Sequence, residues 1–312
     1  TLPRSQTTLE ERVAASIAAF AGTGIARAKD IFFLVLEDEE GPVGMASIFP
    51  NLGEDRPFYS YRVSHIDAQA PETGLRASTD ILQLVNDFHG YTEIGTLLVG
   101  ERARGRGVGR FLSLSRFLFM GREKDRFGSD VMADIRGWLD ADGHSPFWDH
   151  IPAKFFHTSF DEADRLSAHD FRFISHLMPK FPIYVSLLPD QVQEAIGKPH
   201  EKSAYALNML MAEGFRYTRC VDIFDGGPSI ECTLDSVRTV KALSARTATI
   251  SDSDTHIAGA ETLMVTSSKA KPFVAILGTG HIDGHTVVIS PQMAERAGFS
   301  NGEQVLASPL KG

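Results

Sequence analysis

Apolar positions along the chain change their period, and each change marks an element. From Thr8 to Phe20, Leu9, Val13, Ile17 and Phe20 recur at helical spacing, and Thr8 with Glu11 has the spacing of a capping box. Gly22 and Gly24 break that run. Two short apolar stretches, Ile31 to Leu36 and Val43 to Phe49, flank the polar turn Glu37-Asp38-Glu39-Glu40-Gly41-Pro42 and predict an antiparallel hairpin. Tyr59 to His65 reads as a third strand, with Tyr61 and Val63 on one face. Ser78 to Phe88 reads as a short helix burying Ile81, Leu82 and Val85. Glu93 to Val99 is a strand that runs into a glycine-rich loop, Phe111 to Met120 is a strongly apolar helix, and Val131 to Ile135 is a further strand.

Later in the chain a helix over 201–213 ends at Gly214-Phe215. A second hairpin follows, with arms over 216–223 and 229–234 turned by Asp225-Gly226-Gly227-Pro228. Past Val240 the texture shifts to short β-like runs, Phe273 to Leu277, Thr286 to Ile289 and Gln304 to Ala307, punctuated by Gly, Asp and Asn. The pattern as a whole predicts an α+β domain over 1–240 and a small β-rich module over 241–312.

Composition narrows the function classes. The 312 residues are 43% hydrophobic and 23% charged, an ordinary globular balance. A net charge of −9 argues against a nucleic-acid partner. No apolar run approaches the roughly 18 residues needed to cross a bilayer, so no membrane association is expected. Cys220 and Cys232 are too few for a disulfide framework; free thiols and a cytoplasmic location are expected. Their equal distance from Gly226 would set them facing each other across the second hairpin. Without an H-E-x-x-H or paired C-x-x-C pattern, no metal site is expected.

The densest chemistry lies at Arg104-Gly105-Arg106-Gly107-Val108-Gly109. A glycine loop between a strand and a helix aims backbone N–H groups at one point, and the helix N-terminus favours an anion there. Arg102, Arg104, Arg106 and Arg110 add charge. Gly109 is followed by Arg110-Phe111 rather than Lys-Ser/Thr, which excludes a P-loop. The G-x-G-x-G spacing after a hairpin also departs from a dinucleotide-binding βαβ unit.

The Arg-x-x-Gly-x-Gly pattern, read at Arg104 to Gly109 after a strand that follows an antiparallel hairpin, resembles the acetyl-CoA loop of the GNAT acyltransferase superfamily. That resemblance implies a GNAT-like, mostly antiparallel mixed sheet flanked by helices. It also implies that Leu97, Leu98 and Val99 offer backbone groups to an acyl-CoA whose pyrophosphate sits on Arg104, Gly105, Arg106, Gly107, Val108 and Gly109.

A longer series is more specific. Tyr61-Arg62-Val63, Ser115-Arg116-Phe117, Ile135-Arg136-Gly137, Ser145-Pro146-Phe147-Trp148 and Leu177-Met178-Pro179-Lys180 occur in that order. Pro182-Ile183-Tyr184, Ile196-Gly197 with His200, Glu213-Gly214-Phe215-Arg216-Tyr217 and Asp222-Ile223-Phe224-Asp225-Gly226-Gly227-Pro228 continue it. Together they resemble the arginine N-succinyltransferase family over about residues 1–240. The resemblance implies succinyl-CoA as acyl donor, L-arginine as acceptor, and a homo- or hetero-oligomer; some members form two-subunit enzymes and some accept ornithine. It places the family's catalytic histidine, a proton donor, at His200. The family also carries a strand and a helix ahead of a Thr-Leu-Pro segment, whereas Thr1-Leu2-Pro3 stands first here, so that first strand and helix are expected to be missing.

Succinyl transfer needs a neutral amine, a polarised thioester and a protonated leaving thiolate. Tyr205 and Cys220 are further groups able to protonate the thiolate. Arg62 and Arg136, within the shared motifs, are candidate partners for the substrate carboxylates. Glu93, with Asp87 and Asp134, is a candidate partner for a guanidinium.

Overall fold

A computed structural model describes residues 5–23, 29–105, 107–169, 172–254, 257–269 and 271–311. Helix α1 (Gln6–Ala21) precedes the hairpin β1 (Phe32–Asp38) and β2 (Gly41–Phe49). A second antiparallel pair, β3 (Ser60–Gln69) and β4 (Arg76–Val85), leads to β5 (Thr92–Val99), α2 (Val108–Arg122) and β6 (Asp130–Asp134). Short helices α3 (Pro146–His150), α4 (Pro152–Phe156), α5 (Phe160–His169) and α6 (Arg172–Leu177) come next. They are followed by β7 (Ile183–Tyr184), α7 (Asp190–Ala195), α8 (Ala204–Ala212) and the hairpin β8 (Arg216–Asp222) and β9 (Pro228–Thr233). The remainder comprises α9 (Arg238–Ala242), β10 (Ser244–Ile250), β11 (Glu261–Ser267), β12 (Ala275–Asp283), β13 (Thr286–Ile289), α10 (Pro291–Ala297) and β14 (Gln304–Pro309).

These elements pack into two units, each discontinuous in sequence: Thr1–Glu11, Asn51–Glu93 and Val131–Cys232 form the first, and Arg12–Pro50, Ile94–Asp130 and Thr233–Gly312 the second. Strand β5 begins in the first and finishes in the second.

In the first unit the strand order is β5-β6-β9-β8-β3-β4-β7. The pairing of β5 with β6 is parallel (Thr92 opposite Val131), whereas β3/β4, β3/β8, β8/β9 and β4/β7 are antiparallel. Tyr61, Leu82, Phe147, Trp148 and Val221 are buried in its core. In the second unit β1, β2 and β5 lie side by side, and β10-β13-β12-β11-β14 close into a barrel. Helix α2 is buried from Phe111 through Met120 without a polar face to solvent, as an apolar helix must be. The interior of the barrel is filled by Leu263, Val265, Val287, Ile289 and Val305. Mixed α+β architecture is thus what the periodicity predicts.

Three local expectations are corrected. The segment 78–88 is not a helix: β4 pairs with β3 along its length and with β7 at Ile81 and Leu82. Adjacent Ile81 and Leu82 are both buried because the strand is covered on two faces, and such a strand loses the alternation that distinguishes it from a helix. Thr8 and Glu11 do not form a capping box, since α1 starts at Gln6 and the Thr8 N–H donates to Ser5 Oγ at 3.4 Å. Cys220 and Cys232 are free thiols but do not face each other: the β8/β9 register sets Arg216 opposite Glu231 and Val221 opposite Pro228, with an irregularity between.

Candidate functional site

The end of β5 and the loop after it are built for backbone recognition. Thr96 takes a left-handed φ of 42°, which interrupts the regular pleat inside the strand. Just beyond it Leu97 and Leu98 are exposed, while Val99 is half-buried. The strand end is held by Gly100 N–H donating to Val43 O at 2.7 Å. A single turn over Glu101–Ala103 then delivers the glycines.

Gly107 has φ 76° and caps α2, and its carbonyl accepts from the N–H groups of Arg110 (3.1 Å) and Phe111 (3.2 Å). A Cβ on Gly105 or Gly107 would meet no atom within 4 Å, so left-handed backbone, not crowding, demands glycine there. The four arginines near the loop divide by role. Arg102 is taken up by Asp38 (3.0 Å) and Glu40 (2.7 Å), and Arg110 Nε donates to Leu310 O at 2.9 Å. Arg104 bonds Val99 O through Nε at 3.1 Å, and its exposed guanidinium end stands 4.0 Å from the exposed Glu101 carboxylate. Arg106 lies outside the described residues. Glycines, an N-terminus of a 15-residue helix and one exposed guanidinium together suit a phosphate group.

Arg116, in one of the shared motifs, serves structure. It is buried in α2, bonds Ser113 and donates to Gly95 O of β5 at 3.2 Å, and burial pushes its pKa down to about 9. Still cationic at neutral pH, it ties the loop's helix to the loop's strand.

The first unit carries the titratable groups. His200 closes an extended segment that pairs with the one after β6: Gly137 bridges Pro199, and His200 N–H donates to Arg136 O at 2.8 Å. The His200 side chain caps the turn Glu201–Ser203, its Nδ1 accepting from Lys202 N–H at 3.0 Å. A neutral imidazole accepting at Nδ1 carries its hydrogen on Nε2, so Nε2 is a donor. The same segment is fixed to the β8/β9 turn by Gly197 N–H donating to Gly226 O at 2.8 Å. That turn is internally braced: Asp225 accepts from Gly137 N–H and Gly227 N–H, each at 2.9 Å. Close approach makes glycine obligatory here, because a Cβ on Gly227 would stand 2.0 Å from Ile135 O and one on Gly137 2.2 Å from Asp225 O.

Beside this turn lies a group of carboxylates. Burial pushes Glu93 up to about 7, and burial with the Glu93 charge next to it pushes Asp134 up to about 7 as well. Asp134 accepts from Ser229 Oγ at 2.5 Å. Burial and the neighbouring acids raise Asp222 well above the usual carboxylate range, and burial raises Asp225. Groups with pKa near neutrality can exchange protons at working pH, which ordinary carboxylates cannot.

Sequence-predicted residues therefore separate. Arg136 is exposed and adjoins His200 through the backbone. Arg62 and Asp87, expected to serve opposite ends of a substrate, are paired with each other, Nε to Oδ2 at 3.0 Å. Tyr205 is exposed on α8. Burial raises the Cys220 thiol, which makes it a poor source of thiolate. Asp222 and Asp225 read in sequence as turn residues only; their flanking of Gly226-Gly227 marks the turn but carries no sign of the buried acids they join. Among the described residues no group of three His, Cys, Asp or Glu is arranged to hold a metal ion, and no helix is long and apolar enough to cross a membrane.

Comparison with known proteins bears on this arrangement. A family model described as arginine N-succinyltransferase beta subunit matches residues 1–239. The arginine N-succinyltransferase of Enterobacter sp. (strain 638) is 38% identical over 242 residues, covering 77% of this chain and 70% of that protein. The protein of the same name from Escherichia coli O6:H1 (strain CFT073) is 38% identical over 243 residues, with the same coverage of 77% and 70%. Among solved structures, subunit AI of the arginine/ornithine succinyltransferase from Pseudomonas aeruginosa superposes with a TM-score of 0.86 at 28% identity, covering 99% of this chain and 91% of that one.

Proposed function

The chain belongs to the arginine N-succinyltransferase family, and from that membership we propose that it transfers the succinyl group of succinyl-CoA to the α-amine of L-arginine. The observation that carries this reading is the family match over residues 1–239, which includes both the glycine loop and His200. The protein is an acyl-CoA-dependent N-acyltransferase, and succinyl-CoA is its acyl-donor substrate. In the reaction the α-amine attacks the thioester carbonyl, a C–N bond replaces the C–S bond, and the proton lost by the amine balances the one gained by the free CoA thiol.

Backbone N–H groups from Gly105 to Gly109 and the guanidinium of Arg104 bind the pyrophosphate. Leu97, Leu98 and Val99 present backbone groups to the acyl-pantetheine arm. Open space around Gly105 and Gly107 supports that fit. His200 donates from Nε2 to the departing sulfur. Arg136, exposed next to it, pairs with a substrate carboxylate; Arg62, already held by Asp87, is the second choice for that role. Glu93, with a pKa near neutrality, accepts the proton of the amine. We place the reaction in the cytoplasm, in a homo- or hetero-oligomer.

The decisive assay is release of CoA thiol from succinyl-CoA with L-arginine, with L-ornithine and with no amine. Arginine-dependent release is expected; release that ignores every amine would sink the acceptor assignment. A second reading rests on the description of the matching family as a beta subunit: the chain is a partner-dependent or non-catalytic subunit of an arginine/ornithine succinyltransferase. Under it, the folded chain binds CoA and releases no thiol until a second subunit is added.

A further inference from the structure

A second concave site in the first unit carries opposite charges on its two sides. It is a cavity of about 250 Å³ lined by Val63 of β3, Asp80 of β4, Gln193 of α7, Ile196, and Tyr217 with Arg219 of β8. Neither Asp80 nor Arg219 belongs to the carboxylate group around the β8/β9 turn. Three features make it a built site rather than a surface dent. Arg219 is held in a left-handed conformation, φ 63°, inside a strand, a costly geometry for a residue with a long side chain. Asp80 is oriented by His65, whose Nδ1 lies 2.7 Å from Asp80 Oδ1, and His65 is in turn set by Ser78 Oγ at 3.0 Å. The Gln193 side chain is fixed by donating to Leu188 O at 2.8 Å.

The cavity also adjoins the His200 segment. Tyr217 lines it, and its phenol oxygen stands 3.0 Å from where a Cβ on Gly197 would be. Burial keeps that phenol protonated, with a pKa of about 12, so at neutral pH it can only donate or accept a hydrogen bond as a neutral group. The charges of Arg219 and Asp80 both reach the same phenol.

We propose that this cavity receives the L-arginine acceptor, with Arg219 and the Tyr217 phenol on its α-carboxylate and Asp80 on its guanidinium. The apolar walls Val63 and Ile196 cover the methylene stem between the two charged ends, the arrangement that a long amphipathic side chain needs. A carboxylate held by Arg219 and the Tyr217 phenol lies on the Gly197 side of the cavity, since that phenol packs against Gly197. This inference rests on the proposed function and names where its acceptor binds. The guanidinium of Arg219 matches a carboxylate bidentately, and the second oxygen of Asp80 remains to accept from the substrate.

The test combines steady-state kinetics with calorimetry on the whole chain. Asp80→Asn and Arg219→Gln should each raise the KM for L-arginine by about tenfold or more, as loss of a charged hydrogen bond does. The KM for succinyl-CoA and the thermal midpoint should hold. Agmatine, which lacks the carboxylate, should bind the native chain more weakly than arginine and lose that handicap against Arg219→Gln. Val63→Phe, which narrows the cavity without touching a charge, should weaken arginine binding and keeps the test open if Arg219 proves necessary for folding. An arginine KM within twofold of native in both charge variants overturns the cavity assignment and leaves the succinyl-transfer reading standing. A native chain that binds arginine but never succinylates it, with binding lost in the variants, supports the cavity and removes the catalytic reading. Neither binding nor turnover of arginine by the native chain overturns both.

Discussion

The glycine loop after β5 and the His200 segment with the buried acids of the β8/β9 turn are built from different materials. The loop uses backbone: left-handed Gly107, the start of α2 and one exposed arginine tip, within a few consecutive residues. The His200 region uses side chains drawn from distant parts of the chain, Glu93, Asp134, Asp222 and Asp225, and tunes them by burial. Anion binding needs fixed dipoles, which a local turn supplies. Proton chemistry needs groups whose ionisation is perturbed, and only tertiary packing perturbs it. The contrast predicts that damage to the first region appears in donor affinity and damage to the second in turnover or pH dependence.

The largest test of that split is His200→Asn. Asparagine can still cap the Glu201–Ser203 turn, so the thermal midpoint should hold while kcat falls by about 10²–10³, the usual loss for a proton-transfer group. A fall in stability with little change in kcat would make His200 a cap and nothing more. Next, Gly107→Val forces a β-branched residue into φ 76° and should raise the KM for succinyl-CoA about tenfold, with arginine binding by calorimetry unchanged.

The third prediction concerns pH. Glu93 and Asp134 have folded pKa values of about 7, above the values of 4.5 and 3.8 that they have unfolded. Between those limits the native state binds more protons than the unfolded state, so their contribution is present in full only below the unfolded values and lost as pH rises through 7. Asp134→Asn removes one such group and keeps an acceptor for Ser229. Its midpoint should match native near about pH 3 and exceed it by about 2–4 °C at pH 8; parallel curves would remove the buried-acid account. The smallest effect is expected from Arg62→Ala. Exposed and paired with Asp87, Arg62 should change stability by about 0–1 kcal/mol in chemical denaturation, and a KM shift beyond about threefold for either substrate would return it to the binding site.

The same contrast explains what was legible beforehand. The loop is readable because glycines, arginines and the following apolar run are neighbours in sequence. The β1/β2 hairpin and α2 are readable for the same reason. β4 is not, because adjacent Ile81 and Leu82, on opposite faces of the strand, are both buried, which erases the alternation. Strands β10 and β11 escape notice because polar stretches such as Ser244–Ile250, with Ala248 alone buried, take their strand pairing from the closed barrel. His200 and Arg136 are singled out through motif resemblance, yet their backbone pairing goes with a bridge between Gly137 and Pro199. Asp80 and Arg219 show no local pattern, since the cavity joins β3, β4, α7 and β8.

The β8/β9 turn has one further implication, for how such a protein can drift. Gly227 and Gly137 let two stretches of main chain meet without side chains between them, and the His200 segment hangs from the same contact through Gly226. Ordinary core positions tolerate repacking, because neighbouring side chains can trade volume. Main chain against main chain has nothing to trade. Divergence in this lineage is therefore expected to spare these glycines even as the residues facing each substrate change, so that new acceptor preferences arise around a hub whose own letters stay still.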